Sequence, residues 1–190
     1  MSITAQLIEA CKRDKTRAQI RLFELCYPNL MPVCRRYVRD AEAPGMLNIG
    51  FYKVLRGLRN YEFTGETRFL QWSRKVLINA IIDELRKQKK YMNSHVHTDH
   101  AMMNGVHAPA TRNMAELELD AAHIHAMIRE LPEMHARVFN LYVIDSYSHQ
   151  EIAQMFEISE NTSRWYLLQA RKLLQAKLAA HLHHQEKVRQ

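Results

Sequence analysis

Apolar residues recur at spacings of three and four along most of the chain, the signature of helices with one buried stripe. Leu7, Ile8 and Cys11 form the first stripe, with Ser2 placed to cap it. Ile20, Phe23, Leu30, Val33 and Tyr37 extend a second over about 16–37, with Pro28 expected to interrupt it. Pro44 and Gly45 break the pattern, and Leu47, Phe51, Val54, Leu55 and Leu58 restore it. After a loop at 60–65, Phe69, Trp72, Val76, Ile78, Ile82 and Leu85 predict a helix over 66–89. Residues 91–113 lose all periodicity and read as a linker. Helical spacing returns near Met114 with Leu117, Ala121, Ile124, Ile128 and Leu131. Pro132 then suits the first turn of a helix carrying Val138, Leu141 and Tyr142. Ser148-His149-Gln150-Glu151 has the form of a capping box opening a short helix to about Phe156, and Ser159 is placed to cap a last helix through Leu178. The pattern contains no convincing strand. It predicts an all-α chain of two small helical domains, 1–90 and 114–180, joined by a flexible linker at 91–113 and followed by a basic tail at 181–190.

Composition supports helices, because 5 Gly and 5 Pro in 190 residues are too few for a turn-rich β fold. Charge adds a partner class. The net charge of +7 suggests a polyanion, nucleic acid before an anionic membrane, although a basic surface also serves solubility. Cys11, Cys26 and Cys34 form no C-x-x-C pair and suit a reducing compartment. Early charges at Glu9, Lys12, Arg13, Asp14 and Lys15 exclude a signal-peptide core at the start of this sequence, and no apolar run would span a bilayer. A cytoplasmic location without membrane attachment is the expectation.

The last two helices, separated by Glu157-Ile158-Ser159, have the dimensions of a helix-turn-helix, which would make the C-terminal domain a DNA-binding one. Ala153 lies where they would cross, and Leu167, Ala170 and Leu174 form an inward stripe. Arg164, Trp165, Leu168, Gln169, Arg171 and Lys172 lie on or beside the opposite face. Arg164 and Gln169 can donate to base edges in a major groove, and Trp165 can pack on sugar or a thymine methyl. Arg171, Lys172 and the backbone amides near Asn161 and Thr162 suit phosphates. An ordinary α-hairpin with a solvated basic face fits the same spacing. The aromatic loop 61–65 and the basic helix end Arg86-Lys87 likewise fit unpaired DNA, although a packed cluster of Phe69 and Trp72 fits that pattern at least as well.

The ordered motifs Leu131-Pro132-Glu133, Val138-Phe139, Tyr147-Ser148-His149-Gln150-Glu151-Ile152-Ala153, Ile158-Ser159-Glu160-Asn161-Thr162 and Ala170-Arg171-Lys172-Leu173-Leu174 resemble region 4 of extracytoplasmic-function sigma factors, of the sigma-70 family. The stretch from Tyr61 to Trp72, with Asn79, Asp83, Arg86 and Lys87, resembles regions 2.3 and 2.4 of the same family. The resemblance implies a transcription initiation factor that binds core RNA polymerase and promoter DNA. The −35 element would meet Asn161, Thr162, Ser163, Arg164, Trp165, Leu168, Gln169, Arg171 and Lys172. The melted −10 element would meet Phe63, Glu66, Thr67 and Ser73 in a loop and pocket, and Asn79, Asp83, Arg86 and Lys87 on a reading helix. Phe69 and Trp72 would be supports. Polymerase would dock on the preceding helix, region 2.2, through Leu47, Asn48, Phe51 and Tyr52.

Three stretches depart from the family pattern: the turn, the start of the last helix and region 2.2. Glu157 stands where a turn glycine is common, and Ser163, Trp165 and Tyr166 replace a usual valine, serine and arginine. Region 2.2 has Pro44-Gly45, Asn48-Ile49 and Gly50-Phe51 where the family carries an acidic pair and then Gln-Glu before the phenylalanine, while Asp40 and Glu42 remain upstream. That departure keeps a second reading open: a sigma-derived DNA-binding regulator whose polymerase docking is weakened or partner-assisted. A helical adaptor with no DNA role would need both basic faces to be coincidental. The family implies an anti-sigma factor or another recruiting protein as a further partner, and a monomer when free. His95, His97, His100 and His107, like His181, His183 and His184, lack cysteine partners and fixed geometry, so no metal is expected. No enzyme motif is present, and neither catalysis nor a cofactor is expected.

Overall fold

The computed structural model describes residues 2–95 and 121–188, and every regular element among them is helical. The chain divides between His95 and Val96 into two compact units. In the first, α1 (Ala5–Lys12), α2 (Thr16–Tyr37), α3 (Ala43–Gly57), a 3-10 turn (Leu58–Asn60) and α4 (Glu66–His95) surround one core. Its centre is Ile8, Leu22, Leu30, Leu47, Val54, Leu58, Phe69, Leu77, Ile78 and Ile81, all nearly inaccessible.

Local chemistry sets the helix ends, and three expectations are corrected. Thr4, not Ser2, caps α1: its hydroxyl accepts the Leu7 amide at 3.3 Å. Ser2 lies too far upstream because the chain is extended to bury Ile3. Pro28 does not interrupt α2, and neither does Pro32. Each removes a backbone donor, a cost of about 3 kcal/mol in a helix interior. Both prolines lie on the solvent side, where water can satisfy the freed carbonyls, while the opposite face buries Leu22, Cys26, Leu30, Val33 and Cys34. Pro44 and Gly45 also fall inside a helix, in the first turn of α3, where a missing N–H is tolerated.

Gly50 leaves room for Leu77 of α4 against α3. A Cβ at that position would overlap Leu77 Cδ1, and Gly57 lies less tightly under Trp72, whose Cζ2 would sit 2.9 Å from an added Cβ. α4 runs to His95, so the first five residues assigned to the linker are helical. The rest of that linker, with His97, His100 and His107, and the predicted helical start at Met114 and Leu117 lie outside the described residues.

In the second unit, α5 (Ala121–Arg129), α6 (Glu133–Phe139), a π-helical turn (Asn140–Ile144), α7 (His149–Phe156) and α8 (Glu160–Val188) enclose Ile128, Leu131, Val138, Leu141, Tyr147, Ile152, Leu167 and Ala170. Pro132 is the residue before α6 rather than in its first turn. α8 continues ten residues past Leu178, so the expected tail is helical through Val188. Among the described residues no helix is long and apolar enough to cross a membrane.

The three cysteines are free and buried in the first unit. Burial pushes their thiols up, Cys11 to about 11, Cys26 to about 12 and Cys34 to about 11. The folded chain should therefore resist iodoacetamide at pH 8 and consume three equivalents once unfolded, as counted by mass spectrometry. Because folding raises these pKa values, the neutral thiols favour the native state below the ordinary value of 9.0, and that contribution is lost as pH rises toward 11–12.

Candidate nucleic-acid interface

α7 and α8 form the expected helix-turn-helix. The capping box is complete: the Glu151 amide donates to Ser148 Oγ at 3.2 Å, and the Ser148 amide donates to Glu151 Oε2 at 2.7 Å. α7 ends because Glu157 is left-handed, with φ 56° and ψ 43°, which lets the Ile158 amide close onto the Ala153 carbonyl at 3.0 Å. Ser159 Oγ then accepts the Thr162 amide at 3.0 Å and opens α8. A left-handed conformation costs an L-residue about 1–2 kcal/mol. Glu157→Gly should raise the stability of the second unit by about 0.5–1 kcal/mol, read as a higher urea midpoint at unchanged slope; the greater freedom of unfolded glycine cancels the remainder.

The first turns of α8, 160–172, are two-faced. Ser163, Leu167 and Ala170 are buried, whereas Asn161, Arg164, Trp165, Leu168, Arg171 and Lys172 are exposed, and Thr162 and Gln169 lie at the boundary. Eight of the nine residues predicted to meet a duplex are thus on the open face or its edge. Ser163 is the exception and is corrected: it is fully buried, and its hydroxyl lies 2.9 Å from Nδ1 of His149 on α7. It ties the two helices together and is not available to DNA. The His149 ring also stacks on Tyr142 of the π-helical turn, centroids 4.3 Å apart. Burial, then Arg164 and Arg171, hold the His149 pKa below its ordinary value, with Glu160 opposing them. Arg164 pairs with Glu160 at 3.0 Å, so a base edge must compete with that carboxylate.

In the first unit an aromatic stack supports loop 61–65. Tyr61 lies over Trp72 at 4.3 Å and against Phe69 at 5.5 Å, and Phe63 is 6.3 Å from Phe69. Phe69 is wholly buried and lies against Tyr61, Phe63 and the half-buried Trp72. The proposed pocket residues divide. Thr67 is exposed and Phe63 half-buried. Ser73 is buried and donates to the Phe69 carbonyl at 2.8 Å, so it is corrected to a packing role. Glu66 is half-buried and accepts the Ile3 amide at 3.0 Å, which commits one oxygen to the N-terminal segment.

Along α4, Asn79, Arg86 and Lys87 are exposed. Asp83 bridges Lys53 of α3 at 3.0 Å and Arg86 at 3.4 Å, so its carboxylate orients cations rather than standing alone. Lys53 was not among the sequence-predicted residues. Nothing in a linear pattern pairs positions thirty residues apart.

On α3 the docking set separates into two faces. Leu47 and Phe51 are buried, 1% and 5% exposed, and Phe51 packs edge-on against Phe23 at 5.1 Å; both are corrected to core residues. Asn48 is exposed and Tyr52 is 60% exposed, and Ile49, missed from sequence, joins them at 42%. The signal was available. If Leu47, Phe51, Val54 and Leu58 form the inward stripe, the outward stripe must be Asn48, Ile49 and Tyr52.

Comparisons with known proteins match this arrangement. Residues 22–91 match the model of Sigma-70 region 2, and residues 122–174 match Sigma-70, region 4. The chain is 27% identical over 177 residues to the RNA polymerase sigma-H factor of Pseudomonas aeruginosa, spanning 89% of this chain and 90% of that one. Among solved structures it resembles the sigma factor RpoE of Bartonella quintana, determined in complex with the anti-sigma factor NepR. The TM-score is 0.51 and the identity 15%, over 84% of this chain and 95% of the other, a likeness of fold.

Proposed function

This chain belongs to the sigma-70 family, of the extracytoplasmic-function type, and on that premise we propose that it binds core RNA polymerase and directs promoter-specific initiation. One observation carries the reading: region 2 and region 4 follow each other in a single chain, and the second presents an exposed basic helix face. In this reading α8 enters the major groove of the −35 element, with Arg171 and Lys172 on phosphates and Arg164, Trp165, Leu168 and Gln169 toward base edges. Loop 61–65, Thr67 and the outer face of α4 hold the melted −10 strand, where aromatic side chains and nearby cations suit unpaired bases. The work is done by binding energy that favours the open state, so the chain is not an enzyme. The division into a −10 module at 1–90, a linker and a −35 module at 114–180 belongs to this proposal, as do a cytoplasmic location and a monomeric free form. An anti-sigma protein is a further partner class, by analogy with the Bartonella quintana factor.

A second reading is favoured by one feature. Pro44, Gly45, Asn48, Ile49, Tyr52 and Arg56 make up the exposed side of α3 without a carboxylate. A regulator that binds DNA but needs help to reach polymerase would look like this. Gel filtration with core polymerase separates the two: a one-to-one complex supports the initiation factor, and a chain that binds duplex but elutes apart from polymerase supports the regulator.

A further inference from the structure

The open face of α8 has an apolar centre that phosphate chemistry does not use. Trp165 and Leu168 are each 51% exposed, one turn apart, between Asn161 and Arg164 on one side and Arg171 and Lys172 on the other. The Trp165 ring is braced, not loose: its centroid lies 5.7 Å from His135 on α6 and 5.2 Å from Tyr166. Held this way, it loses little side-chain freedom when it meets a partner.

Two large apolar groups at the middle of a face that enters a polar groove need an apolar counterpart. Of the four bases only thymine supplies one in the major groove, its C5 methyl. Residues three apart on a helix are separated by about 4.5 Å along its axis, and neighbouring base pairs by about 3.4 Å. With α8 lying along the groove, the two side chains are about one base-pair step apart. Resting on the reading of α8 as the duplex-binding helix, we propose that Trp165 and Leu168 read thymine methyl groups on neighbouring base pairs, and so fix thymine in the −35 element.

Deoxyuridine tests this directly, because it keeps every hydrogen-bonding group of thymine and removes only the methyl. Duplexes would first be selected from a random library by the full chain with core polymerase. Each selected thymine would then be replaced by deoxyuridine. The expected result is thymine at adjacent pairs, with an affinity loss of about four-fold per methyl removed, the size of one buried carbon. Trp165→Ala should erase the loss at one pair and Leu168→Ala at the other, with urea midpoints showing that both variants remain folded. Equal affinity for thymine and uracil duplexes, or a selected element without neighbouring thymines, overturns the proposal and leaves Trp165 to pack on sugar. Selection of no duplex at all overturns the −35 reading of α8 together with it.

Discussion

Tyr52→Ala combined with Ile49→Asp should abolish association with core polymerase while duplex binding by the second unit is retained. Tyr52 and Ile49 are the most exposed large apolar groups of α3, one turn apart, on a face from which Leu47 and Phe51 point away. Central aromatic anchors of an interface cost about 2 kcal/mol or more when truncated, roughly a thirty-fold loss of affinity for Tyr52→Ala alone. Ile49→Asp adds a charge that docking would have to desolvate. The measurement is a competition titration for core polymerase against a labelled sigma factor. The control is Leu47→Ala, which should act through folding, at about 2–5 kcal/mol, because that side chain lies in the core. If Tyr52→Ala and Ile49→Asp leave polymerase affinity intact, this face of α3 is not the docking surface.

Phe69→Ala should be the most damaging single change in the first unit. The ring is wholly buried and lies against Tyr61, Phe63 and Trp72, so its removal leaves a cavity beneath the two aromatic residues of the loop. Loss of a buried phenylalanine costs about 3–5 kcal/mol, a large share of the stability of a small domain. The expected readout is a marked fall in the urea midpoint of the first unit, with capture of a single-stranded −10 oligonucleotide lost alongside it. Thr67→Ala, at an exposed position, should weaken capture without moving the midpoint. Equal effects of the two variants on stability would contradict the division between support and contact.

Much of this was legible in the sequence because helices write their inward face at a fixed period. The ends of α2 and α7, the capping box at Ser148 and the cap at Ser159 followed from that period and from short-range hydrogen-bond chemistry. Pro28 misled because the cost of a proline depends on which side of the helix meets water, which a local signal does not contain. The candidate sites were less legible, since motif position assigns a contact without its direction. Ser73 and Ser163 occupy the right positions but face inward, and Leu47 and Phe51 were asked to serve core and docking surface at once. Long-range pairs such as Lys53 with Asp83, and Ile3 with Glu66, exist only once the helices have packed. Gly50, read as a missing polar contact, is instead a buried position where α3 packs directly against Leu77 of α4.

The most direct test of the initiation-factor account is strand opening. Core polymerase, the full chain and a selected promoter would be mixed, and permanganate used to detect unpaired thymines around the −10 element. The account predicts reactive thymines and a specific run-off transcript only when the chain is present, both lost with Tyr52→Ala combined with Ile49→Asp. A protected duplex that binds the chain but never opens in the presence of polymerase would contradict it.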